Sequence, residues 1–423
     1  MSTLDDLLKP ILLPRMVTIA QRFSGDSLSD PIQVLRKQVQ ANPAYQKLIP
    51  GSRIALAVGS RGITGLPGFV RELVTLLRKK QASVFLVPAM GSHGGATAEG
   101  QKAMLAAMGI TEAEMGAPVQ ATMDTVLLGY TEEQKLPVVM DRLAHEADGM
   151  VIINRIKPHV GFTGAYESGL MKMIAIGLGK QKGADYCHNL GFGRMAENIE
   201  AIARSVIVKE KLLFAVGLVE NAVHETHTVS VLDKWAIISE EPALLQLAKS
   251  LLPKLPFKQL DVLIMDEIGK DISGTGFDTA VVGRYHTPYK KGGPDITRIG
   301  VLDLTERSHG NANGIGIVDF TTQRLFAKFD RDQTYPNSLT TTVPLSVKMP
   351  MVLKNDRQVV QAAIKTCNIT DRSQVRLIRI KNTNHLDCYE ISENLTEEAA
   401  SCPNVSLLST PHDWPFDEWG NLL

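Results

Sequence analysis

The sequence has 423 residues, 44% of them apolar and 21% charged, and its formal net charge is zero. This composition is typical of a globular protein with two or three domains, and it excludes the concentrated basic face that nucleic acids require. No apolar run approaches transmembrane length, and the N-terminus lacks the basic start and apolar core of a signal peptide. We therefore expect a cytoplasmic protein with neither a nucleic-acid partner nor a membrane partner.

Short apolar runs alternate with helical patterns in the first half of the chain. A near-continuous apolar run is typical of a strand in a parallel sheet whose two faces are both covered. We predict strands at residues 53–59, 83–88, 149–154 and 212–219, and helices at 31–42, 67–80, 97–108, 138–147 and 195–208.

The alternation of apolar runs and helical patterns begins again after residues 253–256. This segment is bounded by prolines, and we predict that it is the domain linker. Strands are predicted at residues 261–265, 298–304 and 374–380, and helices at 244–252, 320–329 and 358–366. The sequence thus indicates an α/β protein with mostly parallel sheets. Its two α/β domains are predicted at residues 1–252 and 257–423, the second being the smaller.

Three polar residues each lie just past the end of a predicted strand: Arg61, His93 and His159. Ligands of open α/β sheets bind outside the carboxyl ends of the strands. Histidine titrates near neutral pH, so two histidines on opposite sides of a ligand could exchange protons with it. Each histidine taken singly is more often a structural hydrogen-bonding residue.

Lys172 lies in an apolar segment for which we predict a helix capped by Ser168 and ended by Gly177. Two interpretations of this lysine stand equally. It is a nucleophile or the covalent link to a cofactor, or its stem packs in the core while its ammonium reaches water.

His188 follows Cys187, and imidazole is the commonest side-chain ligand for nickel, copper or zinc. Together with His93 and His159 it could equally form a hydrolytic zinc site with an open position. Two further polar loops follow predicted strands, one containing Lys270 and the other His309 and Asn311. Either loop could close over a substrate.

With these positions in place, the chain resembles the nickel-pincer lactate racemase family of 2-hydroxyacid racemases and epimerases. Four motifs carry the resemblance in order: Gly91-Ser92-His93-Gly94, Lys157-Pro158-His159, Ser168-Gly169-x-x-Lys172, and His188. Arg61 and Lys270 are weaker matches.

The resemblance implies a racemase or epimerase whose active site lies in a cleft between the domains, with the C-terminal domain closing it. It implies a nickel-pincer nucleotide (pyridinium-3,5-bisthiocarboxylic acid mononucleotide nickel) tethered to Lys172, with His188 as a ligand of the Ni. It also implies that His93 and His159 are the acid/base pair and that cofactor-synthesis proteins are partners.

Substrate binding is predicted for Arg61, which would grip the carboxylate of a small-molecule hydroxy acid, and for Lys270, His309 and Asn311. The residues around Lys270 depart from the lactate racemase pattern. A larger substrate such as a sugar acid is therefore as compatible with this sequence as lactate is. A zinc-dependent hydrolase using the same histidines and an inactive small-molecule-binding homologue are the alternative functions.

Overall fold

The computed structural model describes residues 3–60 and 62–423, and the chain forms two compact units. One unit comprises Ser24–Leu252, and the other comprises Pro253–Leu423 together with the N-terminal segment up to Phe23. The boundary coincides with the predicted linker. The N-terminal segment, expected in the first domain, groups with the second unit because strand Met16–Gln21 pairs with strand Cys388–Ser392.

Strands of the two units form separate sheets, described below. The strands are β1 (Met16–Gln21), β2 (Arg53–Val58), β3 (Ser83–Pro88), β4 (Thr125–Tyr130), β5 (Pro137–Asp141), β6 (Gly149–Arg155), β7 (Leu212–Glu220), β8 (Thr226–Asp233), β9 (Gln259–Ile268), β10 (Asp295–Leu304), β11 (Phe320–Thr322), β12 (Met351–Leu353), β13 (Leu377–Ile380), β14 (Cys388–Ser392) and β15 (Val405–Leu407).

Helices connect most of these strands, and among the described residues none of them is long and apolar enough to cross a membrane. The α-helices are α1 (Thr3–Leu8), α2 (Pro31–Ala41), α3 (Pro43–Gln46), α4 (Leu66–Lys79), α5 (Ala98–Ala107), α6 (Glu112–Met115), α7 (Arg142–His145), α8 (Leu170–Lys172), α9 (Lys180–His188), α10 (Met195–Lys209), α11 (Ala236–Ser250), α12 (Thr279–Val282), α13 (Gln323–Lys328), α14 (Arg331–Thr341), α15 (Asp356–Thr366) and α16 (Thr396–Ala400).

The unit Ser24–Leu252 contains a five-stranded sheet in the order β3-β2-β6-β7-β8. Strands β3, β2, β6 and β7 run parallel, and β8 pairs antiparallel with β7. Strand β2 is buried at five of its six positions, as expected of a parallel strand covered on both faces. Helix α4 packs on the sheet through Phe69, Leu73 and Leu77, which recur on one helical face. The carboxyl ends of β3, β2 and β6 therefore share one edge of this sheet.

The other unit contains an eight-stranded sheet in the order β12-β11-β10-β9-β13-β14-β1-β15. The first five strands in this order, β12, β11, β10, β9 and β13, run parallel to one another. The pairings β13–β14, β14–β1 and β1–β15 are antiparallel. Both units are thus α/β with mostly parallel sheets, which confirms the predicted fold class.

Two predicted helices are wrong in part. Residues 138–147 begin with strand β5, because Val138–Met140 pair with β4, and only Arg142–His145 are helical. Asp141 caps that short helix by accepting a hydrogen bond from Ala144 N at 3.0 Å. Residues 320–329 likewise begin with strand β11, which pairs with β10 before α13 starts. In both places tertiary pairing overrides the helical pattern.

Candidate active site

Two polar side chains meet at the carboxyl edge of the five-stranded sheet. Ser60 follows β2 and His93 follows β3, and the Ser60 Oγ lies 2.5 Å from the His93 Nδ1. A hydroxyl both donates and accepts hydrogen bonds, so Ser60 can pair with this nitrogen in either protonation state of the ring. The arrangement holds the half-buried ring of His93 by one nitrogen. Arg61, the predicted carboxylate-binding residue, lies outside the described residues.

The loop after β6 that contains His159 is closed by its own backbone. Lys157 and Ser168 exchange two backbone hydrogen bonds of 2.7 and 3.1 Å across the base of the loop. Inside it, Glu167 accepts a hydrogen bond from His159 N at 2.7 Å, and Lys249 forms an ion pair with the same carboxylate at 2.6 Å. The position of His159 is therefore set by a charged group at the far end of its loop.

The His159 ring packs on Phe162 and Phe192, with centroid distances of 4.4 and 5.9 Å. Gly161 N donates a hydrogen bond of 3.0 Å to His159 Nδ1. Because Nδ1 accepts this bond, the proton of the neutral ring belongs on Nε2.

Lys172 ends a helical turn that Gly169 begins. The predicted cap by Ser168 is wrong, because the turn begins one residue later, with Gly169 as its N-cap residue. The cap comes instead from the Glu241 carboxyl group, which accepts a hydrogen bond from Met171 N at 2.9 Å. A π-helical segment, Met173–Gly177, continues the turn and ends at the predicted glycine.

Glu241 is a residue that sequence reasoning missed. Its side chain is almost completely buried, and burial raises the pKa of its carboxyl to about 8, although hydrogen bonds from Met171 and Leu170 oppose the rise. A glutamate at a helical position next to Pro242 carries no local signal of such a role. Only the packing of α11 against the Lys172 turn reveals it.

His188 is buried at the end of α9, and its Nδ1 lies 2.6 Å from the Ala184 carbonyl oxygen. A carbonyl only accepts, so Nδ1 carries the proton and the Nε2 lone pair remains for another partner. Burial, supported by the nearby positive charge of Lys172, lowers the pKa of His188 to about 4. The ring is thus neutral at physiological pH, which is the form that ligates a metal.

Contacts connect the predicted site residues of this unit. Phe192 packs against both His188, at 5.8 Å between centroids, and His159. The Lys172 charge acts on the pKa of His188. The loop of His93 is held to the segment after Lys172 by a 3.0 Å hydrogen bond from Gly91 N to Gly177 O. A Cβ at Gly177 would lie 2.7 Å from the Ala89 carbonyl, so glycine permits this close approach.

The unit that contains the eight-stranded sheet holds the other predicted substrate-binding residues. Lys270 Nζ donates to Gly274 O at 2.8 Å. His309 is exposed and has a left-handed backbone with φ +47°. The Asn311 amide donates to Gln333 O at 2.7 Å, which ties its loop to α14. Substrate contact by these three residues stays a prediction.

Within residues 3–60 and 62–423, no three His, Cys, Asp or Glu side chains lie close enough together to hold a metal ion. The structure therefore does not assemble His93, His159 and His188 as a three-histidine metal centre. Of these three histidines, His188 has a buried imidazole whose Nδ1–H is directed to a backbone carbonyl. Its Nε2 lone pair therefore remains for another partner, which could be a metal ion.

Comparisons with known proteins show which proteins this chain resembles. Residues 27–200 match the lactate racemase N-terminal domain family. The fold resembles the lactate racemase apoprotein of Thermoanaerobacterium thermosaccharolyticum, with 14% identity, a TM-score of 0.50, and coverage of 88% of this chain and 99% of that one. It also resembles a protein of Thermotoga maritima, with 12% identity, a TM-score of 0.53, and coverage of 86% and 99%. No curated protein matches the sequence. Residues 27–200 thus resemble the lactate racemase N-terminal domain, and the chain shares the fold of the lactate racemase apoprotein.

Proposed function

We propose that this protein inverts C2 of a 2-hydroxy acid with a nickel-pincer nucleotide attached to Lys172. In this proposal His188 is the protein ligand of the nickel, and His93 and His159 are the acid/base pair. The observation that carries the proposal is the state of His188. Its imidazole is buried and neutral, its Nδ1–H faces a backbone carbonyl, and the positive charge of Lys172 lies near enough to lower its pKa.

The residues present fit the proposed cofactor. Lys172 Nζ would form the covalent link, and His188 Nε2 would supply a nitrogen lone pair to the metal, for which no proton needs to be displaced at neutral pH. When bound, the cofactor supplies the acceptor for the hydrogen that leaves C2 with its electron pair. Glu241 holds the turn that presents Lys172, through its hydrogen bond from Met171 N.

The two histidines handle the hydroxyl proton. One imidazole accepts the proton of the substrate hydroxyl while C2 loses its hydrogen, and the C–O bond becomes the carbonyl of a planar 2-keto acid. When the hydrogen returns to the opposite face of C2, the other imidazole, which enters the cycle protonated, gives its proton to the oxygen, so the two histidines exchange protonation states in each turnover. His93 keeps its Ser60 partner throughout such a cycle, because a hydroxyl pairs with either form of Nδ1.

For the substrate, we propose a hydroxy acid with hydroxyl groups beyond the one at C2, such as a sugar acid. The residues around Lys270 depart from the lactate racemase pattern, which favours a substrate other than lactate. Racemisation assays across a hydroxy-acid panel test this, and turnover of lactate alone would contradict it.

The test of the function uses protein purified from a host that makes the cofactor and its synthesis proteins. We expect a mass adduct on the Lys172 peptide, stoichiometric nickel, and inversion of a 2-hydroxy acid. An unmodified Lys172 with stoichiometric zinc would overturn the proposal in favour of a hydrolase. Neither metal nor adduct would favour a binding protein without chemistry.

Histidine variants separate the proposed roles. We expect His93→Ala and His159→Ala each to lose roughly 10²-fold or more in kcat, the contribution typical of a positioned acid or base, and to keep the Lys172 adduct. Lys172→Ala should lose adduct and activity together. Full activity in either histidine variant would contradict the assignment.

A further inference from the structure

A buried ion pair joins three parts of the unit Ser24–Leu252. Lys180 Nζ lies 2.8 Å from Asp141 Oδ2, and both side chains are 0% exposed. Lys180 Nζ also donates to Pro88 O, the last residue of β3, at 2.5 Å. One ammonium group therefore connects the end of β5, the end of β3 and the start of α9. A fully buried pair tolerates little displacement, because either charge alone in the interior would be costly.

Gln101 extends this connection to His93. Its side chain is fully buried, and its Oε1 lies 3.3 Å from Lys180 Nζ. Its amide Nε2 donates to Gly91 O at 2.8 Å and to His93 O at 3.3 Å. Both carbonyls belong to the loop that presents His93. The amide is thus oriented by the lysine on one side and fixes the His93 backbone on the other.

The backbone of Lys180 shows that its position is constrained. Its φ is +57°, a left-handed conformation that residues other than glycine rarely adopt. Lys180 is the first residue of α9, and His188 is the last. The helix that ends at His188 therefore starts at the same ammonium group that supports the His93 loop through Gln101. The strained start persists because the buried ion pair determines where the side chain lies.

We propose that Gln101 and Lys180 are positioning residues that hold the His93 loop in a defined place relative to the helix of His188. This proposal rests on the proposed function for its kinetic consequence, but its structural consequence does not require activity. Neither residue reaches the reacting atoms; each acts through the backbone that presents His93.

Gln101→Glu is the sharpest test, because it keeps an acceptor for Lys180 and removes both N–H donors to the loop. We expect faster amide hydrogen exchange in residues 90–97 and, in the loaded enzyme, a kcat lowered by roughly tenfold or more, since small displacements of catalytic groups cost up to about 10²-fold. KM, the Lys172 adduct and nickel content should stay near the wild-type values. Gln101→Met, without a new charge, should give the same pattern.

The matched control is Gln38→Glu. Gln38 also bridges a helix and a strand, donating to Val229 O and accepting from Val231 N, both at 2.8 Å, but on the β8 side of the sheet. It should change thermal stability without changing kcat or exchange in residues 90–97. A kcat loss of equal size in Gln38→Glu would show a general stability effect and overturn the proposal.

Amide hydrogen exchange tests this proposal independently of the proposed function. If the amides of residues 90–97 exchange hydrogen at the wild-type rate in both Gln101 variants, the positioning role is wrong, whatever the activity of the variants. If exchange rises as expected but the loaded wild-type protein inverts no hydroxy acid, the proposed function fails and the structural connection stands.

Discussion

The Glu241 carboxyl group accepts a hydrogen bond of 2.9 Å from the backbone N–H of Met171, the residue before Lys172. Burial raises the pKa of this carboxyl from 4.5 to about 8, so the folded chain binds its proton more tightly than the unfolded chain does. The contribution of this group to stability therefore falls as pH rises from about 4.5 to about 8.

Glu241→Gln should remove that pH dependence. Relative to the wild type, we expect the variant to gain about 1 kcal/mol of unfolding free energy for each pH unit between pH 5 and 8. Urea unfolding at several pH values measures the difference. Glu240→Gln, an exposed neighbour on the same helix, should run parallel to the wild type. A constant offset between Glu241→Gln and the wild type over this range would contradict the assignment.

Gly169→Ala should displace the Glu241 side chain. A Cβ at this position would lie 2.0 Å from Glu241 Oε1 and 2.9 Å from its carboxyl carbon, closer than the packing allows. We expect a loss of about 1–3 kcal/mol in unfolding free energy, the usual cost of overpacking a core.

Gly25→Ala is the control for this change, because a Cβ there meets nothing within 4 Å in the same unit. Its unfolding free energy should stay within about 0.5 kcal/mol of the wild type or rise slightly. Equal unfolding midpoints for the two variants would show that the Gly169–Glu241 contact is not tight.

Ser60→Ala should weaken the acid/base function of His93. The change removes the hydroxyl that lies 2.5 Å from His93 Nδ1, so the ring loses the partner that sets its orientation. In the loaded enzyme we expect kcat to fall by about tenfold and KM to change much less. Steady-state kinetics of inversion measures both constants.

Ser52→Ala provides the comparison, since the Ser52 hydroxyl donates only to Ile49 O in a turn before β2. It should leave kcat unchanged. A Ser60→Ala enzyme with the wild-type kcat would show that the hydroxyl does not orient His93.

His159 and His188 should hold opposite neutral tautomers. His159 Nδ1 accepts from Gly161 N, which places the proton on Nε2, whereas His188 Nδ1 faces Ala184 O and carries the proton itself. Two-bond ¹H–¹⁵N correlation spectra of the cofactor-free protein at pH 7.5 distinguish the two forms. His159→Gln and His188→Gln assign the signals, and the same tautomer for both rings would contradict the geometry.

Much of the first unit follows from local sequence. The apolar runs at β2, β3, β6 and β7 predict buried parallel strands, and the structure confirms all four. Local patterns fail where strand pairing determines the secondary structure. The residues of β5 fit a helical pattern, but they form a strand because they pair with β4. They also fail at Ser168, because the turn begins at Gly169 and its cap comes from the distant Glu241 side chain.

The α/β class and the positions of His93 and His159 just after strand ends could be predicted from the sequence, since these depend on residue type and short-range spacing. Three features could not be predicted from it: Glu241 caps the Lys172 turn, Gln101 bridges Lys180 and the His93 loop, and strand β1 joins the eight-stranded sheet. These contacts join residues far apart in the chain. Their energies come from burial and from hydrogen bonds between distant segments, which no local pattern records.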